Sequence, residues 1–163
     1  MKKIILFLSA VFLFALTPPK EFSAKFVQTV KSQDQTITYK GDVYKKGEEI
    51  VWKYTYPTEK TIWIKNKIYI YEPDLMQLTI ANKKNATLNE ILKKAKKIKD
   101  DLYETKVDNK TIYFIYDKTL KKLYYTDDLG NKVEIKFFDQ KNSAPSDVFK
   151  LNYLADVDVV HEN

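Results

Sequence analysis

Side chains that could carry out catalysis are scarce in this chain. It has no cysteine and one histidine, His161, near its C-terminal end. Triads, thiolate nucleophiles and zinc sites all need such side chains, rigidly held. The adjacent carboxylates Glu48-Glu49, Asp100-Asp101 and Asp127-Asp128 would point to opposite faces of a strand and would not converge. The residues leave a two-carboxylate hydrolase open, but they favour a protein that is not an enzyme and binds neither metal nor cofactor.

The basic charge of the chain comes from lysine alone. Its formal net charge is +6, and the sequence contains no arginine. Basic proteins rich in aromatic residues often bind nucleic acid, but arginine is the usual bidentate partner of phosphate and guanine. We therefore expect no nucleic-acid partner and interpret the lysines as a solvated surface that keeps the protein soluble.

The first fifteen residues have the pattern of a secretory signal peptide. Lys2 and Lys3 precede an apolar run from Ile4 to Phe14, and Ala15 suits the position before a cleavage site. The run is shorter than the roughly 20 residues that span a bilayer. The sequence thus predicts a signal peptide at residues 1–15, followed by one exported domain at residues 16–163. A retained N-terminal anchor is the alternative. An exported domain without cysteine must fold on its hydrophobic core alone.

Alternating apolar and polar residues dominate the rest of the chain and predict strands. The expected strands are Phe22–Gln28, Ile37–Val43, Ile50–Tyr56, Ile62–Ile64, Ile68–Ile70, Met76–Ile80, Leu102–Val107, Thr111–Tyr116, Lys121–Thr126, Lys132–Phe138 and Val148–Leu151. Short turns join nearly all of them, which favours an antiparallel meander. A sheet of about eleven strands tends to curl or close. The pattern therefore predicts a curved, mainly β fold.

One segment has helical spacing instead. Thr87 and Glu90 form a capping box. The apolar residues that follow at helical spacing are Leu88, Ile91, Leu92, Ala95 and Ile98. Lysines occupy the other side of this predicted helix. A single amphipathic helix can bury its stripe against the concave face of a curved sheet, so we expect it to act as a lid.

Four motifs follow one another in the first half of the chain. They are Phe22-Ser23-Ala24-Lys25-Phe26-Val27-Gln28, Gly41-Asp42, Trp52-Lys53-Tyr54-Thr55-Tyr56-Pro57 and Tyr71-Glu72-Pro73-Asp74-Leu75-Met76-Gln77. In this order and spacing they resemble LolA, a family of periplasmic carriers of outer-membrane lipoproteins. A weaker match returns near Phe149. The resemblance implies an incomplete, unclosed antiparallel β-barrel of about 11 strands with a lid helix over a hydrophobic cavity.

The resemblance also implies a function. Acyl chains of lipoproteins would occupy the cavity, after release from an inner-membrane ABC transporter and before delivery to an outer-membrane receptor. The chain would then be a periplasmic, monomeric carrier without a cofactor. Because a fold does not fix its function, a LolA-like barrel acting as an envelope lipid sensor or protein-interaction domain is the alternative.

The resemblance and the strand phase together give candidate cavity residues. By match to the family, Ile50 and Trp52 lie on a cavity-lining strand, and Ile50 stands where the family has a phenylalanine that retains cargo. Strand phase adds Phe26, Tyr54, Ile62, Ile64, Met76 and Leu78, and the helix stripe adds Leu88, Ile91 and Leu92. For each of them the alternative is permanent burial in the core.

Two departures from the family concern the cover of the cavity. The family has an arginine before the tryptophan strand, and its hydrogen bonds to backbone carbonyls hold the lid closed. Here Lys45 and Lys46 stand in that neighbourhood, and lysine is a less directional clamp than a guanidinium. The family also has an N-terminal helix, for which only residues 16–21 remain here after cleavage. We expect part of the cover to be missing or supplied by another segment.

Overall fold

The computed structural model describes residues 16–83 and 87–162, so the signal peptide predicted at residues 1–15 lies outside the described residues. Within these ranges the chain forms twelve strands and one α-helix. The strands are β1 (Glu21–Lys31), β2 (Thr36–Lys46), β3 (Glu49–Tyr56), β4 (Lys60–Ile64), β5 (Ile68–Glu72), β6 (Gln77–Ala81), β7 (Lys96–Lys99), β8 (Leu102–Val107), β9 (Lys110–Asp117), β10 (Thr119–Thr126), β11 (Lys132–Lys141) and β12 (Asp158–Glu162). Helix α1 covers Leu88–Lys93, and 3-10 turns occupy Pro73–Leu75 and Ser146–Phe149.

All twelve strands belong to one sheet, in the order β12-β6-β5-β4-β3-β2-β1-β11-β10-β9-β8-β7. The strands pair antiparallel with their neighbours, except that β12 runs parallel to β6. Strands β7 and β12 form the two edges and do not pair with each other. This confirms the prediction of a mainly β, unclosed antiparallel sheet. The prediction of about eleven strands falls one short of the twelve observed.

The C-terminal part of the chain differs from the expectation. The strand predicted at Val148–Leu151 is wrong, because Ser146–Phe149 forms a 3-10 turn and the last strand lies at Asp158–Glu162. The apolar residues of the turn are used differently: Phe149 is 6% exposed and packs on the sheet. Burial, rather than strand pairing, accounts for the apolar pattern there.

The sheet is strongly curved around the face that packs against α1, which we call the inner face. Trp52 on β3 and Phe137 on β11 are separated by two intervening strands. In a flat sheet their backbones would lie about 14 Å apart, at ~4.8 Å per strand. Their ring centroids are 6.1 Å apart. The side chains of the inner face therefore converge toward one interior.

Helix α1 begins as expected and ends early. Thr87 Oγ1 accepts a hydrogen bond from the amide of Glu90, and the Glu90 carboxylate accepts one from the amide of Thr87. The helix stops at Lys93 because the next residues pair with β8 as strand β7. Ile98, placed on the helical stripe by the sequence, is instead 47% exposed on β7. Among the described residues, no helix has the length and apolarity needed to cross a bilayer.

A second core covers the opposite, outer face of β3 to β6. It comprises Val51, Trp63, Tyr71, Leu78 and Phe149. The chain after β11 crosses this face, and Trp63 Nε1 donates to the carbonyl of Val148 at 2.9 Å. Lys65 Nζ donates to the carbonyl of Phe149 at 2.9 Å. This half of the sheet thus carries apolar side chains on both faces. Its outer face supplies a hydrophobic core, so the inner face is not the only apolar packing surface there.

Candidate functional site

The inner face changes from packed to open along the sheet. Around α1, Phe26 is 1% exposed and Ile50 is fully buried. On the neighbouring strands the inner-face side chains lie in register across the ladder: Trp52 opposite Ile62, and Ile62 opposite Ile70. These three residues are only half-buried. The sequence alternation correctly placed Trp52 and Ile62 on this face.

The half-buried residues form an apolar surface that we call the open strip: Trp52, Ile62, Ile64, Ile68 and Ile70. Trp52 and Ile64 border the core around α1. In the part of the chain that the structure describes, Ile62, Ile68 and Ile70 belong to neither hydrophobic core. A contiguous, partly exposed apolar surface on a concave face is typical of a binding site.

An aromatic cluster closes one side of the open strip. The ring of Phe26 meets Trp52 and Tyr54 edge-on, with centroids 5.1 Å away in both cases. Gly41 lies directly opposite Phe26 on β2. A Cβ at Gly41 would lie 3.0 Å from that ring and 2.1 Å from the carbonyl oxygen of Lys53. The missing side chain at Gly41 therefore allows the phenylalanine and the β3 backbone to approach closely.

The cluster has a polar end. Tyr54 donates its hydroxyl to Gln28 Oε1 at 3.0 Å. Burial raises the pKa of Tyr54 to about 12, with smaller contributions from Tyr125 and Tyr39. The phenol consequently remains protonated and a hydrogen-bond donor at neutral pH. The Lys60 ammonium lies 5.0 Å from the centre of the Tyr54 ring.

Helix α1 fills the rest of the interior. The apolar stripe of α1 faces the sheet, as its helical spacing predicted, and Leu88, Ile91 and Leu92 are buried in the core. Thr105 Oγ1 on β8 donates to the carbonyl of Ile91 at 2.7 Å. A cavity of about 180 Å³ remains beside the helix, and it is lined by Ile91, Val107, Asp108, Lys110, Ile112, Leu123 and Tyr125. That volume is below the roughly 300–1,000 Å³ of pockets that enclose small ligands.

Comparison with known proteins decides the family. The family model described as "Outer membrane lipoprotein carrier protein LolA" matches residues 19–102. An outer-membrane lipoprotein carrier protein of Campylobacter jejuni is 36% identical over 144 residues, covering 85% of each chain. The chain belongs to the LolA family. A second relative with the same description, from Wolinella succinogenes, is 35% identical over 122 residues and 71% of each chain.

A solved structure with a related description is also similar to this LolA-family chain. It is a LolA superfamily protein from Nitrosomonas europaea, with a TM-score of 0.48 and 12% sequence identity. The match covers 86% of this chain and 94% of that one.

In this LolA-family chain, Lys45 and Lys46 have different surroundings. Lys45 is 3% exposed and donates to the carbonyl oxygens of Pro19 at 2.6 Å and Gly47 at 2.8 Å. Burial lowers the pKa of Lys45, and the nearby Glu48 carboxylate opposes the shift. Lys46 is exposed and pairs with Glu21 at 3.6 Å. Of the two lysines expected as a lid clamp, only Lys45 holds backbone carbonyls.

The carbonyls held by Lys45 belong to the N-terminal segment and the β2–β3 turn, and a further residue links them to α1. Asn89 donates from Nδ2 to the carbonyl of Gly47 and to Glu48 Oε2, at 3.3 Å in both cases. Lys93 and Glu48 form an ion pair at 2.9 Å. Sequence reasoning missed Asn89, although an asparagine on the apolar side of a predicted helix was a usable signal.

Met76 and Leu78, which strand phase predicted to line the cavity, do not lie on the inner face. Leu78 is 1% exposed in the outer core, opposite Tyr71 on β5. Met76 precedes β6 in a left-handed conformation and is 48% exposed. Thr79, 5% exposed, takes the alternate position on β6. The assigned phase of β6 was therefore wrong, since its apolar residues serve the outer core.

The described residues also bear on metal binding. Among residues 16–83 and 87–162, no group of three histidine, cysteine or carboxylate side chains is placed to hold a metal ion.

Proposed function

We propose that this chain is a periplasmic carrier that binds the acyl chains of outer-membrane lipoproteins on the open strip. The observation that supports the proposal most directly is the strip itself: half-buried apolar side chains on the inner face, of which Ile62, Ile68 and Ile70 belong to neither core within the described residues. Membership of the LolA family supports the same function, because its relatives are described as outer-membrane lipoprotein carriers.

Physical chemistry supports this assignment. Each methylene removed from water contributes roughly 0.8 kcal/mol, so long acyl chains bind an apolar surface without further specific contacts. The cavity of about 180 Å³ beside α1 is too small to enclose such chains. Enclosing whole acyl chains would therefore require α1 to move away from the inner face and extend the open strip into the interior.

The lysine and asparagine contacts would oppose that movement. Lys45 and Asn89 connect the N-terminal segment, the β2–β3 turn and α1 through the carbonyl of Gly47. A hydrogen bond from a charged group contributes about 1.5–3 kcal/mol, and the exposed ion pair between Lys93 and Glu48 adds little. A lid held in this way opens at moderate cost, as a carrier that must release its cargo requires.

The family relationship also suggests the route. The carrier would receive lipoproteins from an inner-membrane ABC transporter, cross the periplasm as a monomer and deliver them to an outer-membrane receptor. The predicted signal peptide is consistent with this location.

The experiment uses the mature chain, inner-membrane vesicles and a triacylated lipoprotein, and it measures the lipoprotein released into a soluble complex. Ile62→Glu and Ile70→Glu place a charge on the open strip and should abolish the complex while the protein stays folded. Ile115→Glu is the matched control, since Ile115 is half-buried on the outer face of β9. Ile50 is unsuitable because it is fully buried, and a charge there would unfold the core. Absence of a wild-type complex would refute the proposal.

One observation favours a second candidate, a lipid sensor or protein-interaction domain without cargo transport. Much of the inner face is already filled by α1 and its neighbours. Mass spectrometry of lipids that co-purify with the native protein separates the two candidates. Reproducible diacyl or triacyl species favour the carrier, and protein free of lipid favours the second candidate.

A further inference from the structure

A polar row crosses the inner face at one end of the open strip. It consists of Gln28 on β1, Tyr39 on β2, Tyr54 on β3 and Lys60 on β4. Gln28 lies directly opposite Tyr39, and Tyr54 lies directly opposite Lys60. The rings of Tyr39 and Tyr54 meet edge-on at 6.0 Å. All four side chains are half-buried.

On β3 and β4 the residues below this row on the same face are apolar. Trp52 and then Ile50 follow Tyr54 at alternate positions of β3. At ~3.3 Å per residue, the row of apolar side chains extends about 13 Å from Tyr54 to Ile50, and its far end at Ile50 lies within the core around α1. The inner face is thus divided into a polar row and an apolar surface beneath it, as an amphipathic ligand would require.

The polar row presents hydrogen-bond donors. Tyr54 donates to Gln28 Oε1, which orients the amide. Among the described residues no acceptor receives a hydrogen bond from Gln28 Nε2, so this group can still donate. Lys60 adds an ammonium group above the Tyr54 ring. Half-buried donors beside an apolar surface favour a ligand whose acceptor oxygens stand at the head of its alkyl chains.

We propose that the row of Gln28, Tyr39, Tyr54 and Lys60 binds the ester carbonyl groups of a diacylglyceryl unit, with Gln28 and Lys60 as donors and Tyr54 as the positioning residue. The inference rests on the proposed function and adds a chemical specificity to it. The ester-linked diacylglyceryl unit occurs both in lipoproteins and in phospholipids, so the experiment includes both sources.

The test is competition against an apolar fluorescent reporter bound to the mature protein. The competitors are a synthetic tripalmitoylated cysteinyl peptide, its analogue with ether links in place of the two esters, and the diester and diether forms of phosphatidylglycerol. We expect the wild type to prefer an ester over its matching ether by about fivefold to tenfold, the effect of one or two hydrogen bonds. A preference in the lipopeptide pair identifies lipoprotein as the source, and a preference only in the phospholipid pair identifies phospholipid.

Substitutions at the polar row should remove the preference. Gln28→Met and Tyr54→Phe should each lower the ester-to-ether ratio, and Gln28→Met combined with Lys60→Met should bring it close to one. Gln140→Met and Tyr113→Phe, on other parts of the sheet, should keep the wild-type ratio. Equal wild-type affinity for ester and ether, or an unchanged ratio in Gln28→Met, would overturn this inference and leave the carrier function standing. Failure of the wild type to bind any competitor would overturn both.

Discussion

Lys45 and Asn89 share one hydrogen-bond acceptor, the carbonyl oxygen of Gly47, at 2.8 Å and 3.3 Å. Lys45 comes from β2 and Asn89 from α1. Because Lys45 also binds the carbonyl of Pro19, a single ammonium group joins the N-terminal segment to the turn on which the helix rests. The position of the helix therefore depends on a lysine 44 residues before Asn89 in the sequence.

Removing the Lys45 ammonium should destabilise the fold. Lys45→Met keeps an aliphatic side chain of similar length but leaves the carbonyls of Pro19 and Gly47 without this donor. We expect the free energy of unfolding to fall by about 2–3 kcal/mol, as for lost hydrogen bonds to a charged group. Urea denaturation measures it. Lys46→Met is the control, because Lys46 is exposed and should change stability by no more than about 0.5 kcal/mol. Equal effects of the two substitutions would contradict the clamp.

Tyr54 should ionise only at strongly alkaline pH. Its pKa is raised from 10.0 to about 12 by burial, so the folded state keeps the phenolic proton where the unfolded state loses it. The resulting stability is fully present below pH 10 and is lost as pH rises toward 12. At roughly 1.4 kcal/mol per pH unit, the contribution is about 2–3 kcal/mol.

The comparison of wild type with Tyr54→Phe isolates this contribution. The variant should lose the highest-pH step of the tyrosinate absorbance titration, and its stability should decline less steeply between pH 10 and 12. Tyr113→Phe should leave that step in place. If the step lost in Tyr54→Phe has its midpoint near pH 10 in the wild type, the Tyr54 hydroxyl is solvated.

Strand alternation predicted the inner face well on β3 and β4, although Val51 and Trp63 of these strands belong to the outer core. On β3 and β4 it placed Trp52 and Ile62 correctly. It failed on β6, because Leu78 packs against the chain segment around Phe149, some 70 residues later. It also extended α1 through Ile98, since lysines and isolated apolar residues fit either a helix or an exposed edge strand. Such long-range partners leave no local signal.

The clamp shows a different limit of sequence reasoning. The resemblance to the family placed it at Lys45 or Lys46, and only the backbone geometry separates the two. Lys45 shares the strand phase of Val43 and points inward, whereas Lys46 points to the other face. The acceptor at Pro19 lies 26 residues away. No sequence pattern specifies such a carbonyl acceptor.

Gly41 should tolerate no side chain. An added Cβ would lie 2.1 Å from the carbonyl oxygen of Lys53, a backbone atom that cannot turn aside. We expect Gly41→Ala to lower the free energy of unfolding by about 3 kcal/mol or more, the upper range for overpacking. Thermal and urea denaturation measure the change. Gly130→Ala serves as a comparison, because a Cβ there meets nothing within 4 Å and only the φ of +81° opposes it. A milder effect at Gly41 than at Gly130 would contradict the close packing of β2 and β3.

Weakening the contact between α1 and β8 should speed the entry of acyl chains. Thr105→Val removes the hydroxyl that donates to the Ile91 carbonyl at 2.7 Å and retains nearly the same shape. We expect global stability to fall by about 1–2 kcal/mol and the amides of Leu88–Lys93 to exchange faster than those of β9 and β10. Hydrogen exchange with mass spectrometry measures the exchange rates of these amides. Stopped-flow uptake of a fluorescent acyl chain measures the rate of entry. Thr111→Val, on the outer face of β9, should change neither. If helix exchange accelerates while uptake does not, α1 does not control access to the interior, and chains enter over the open strip alone.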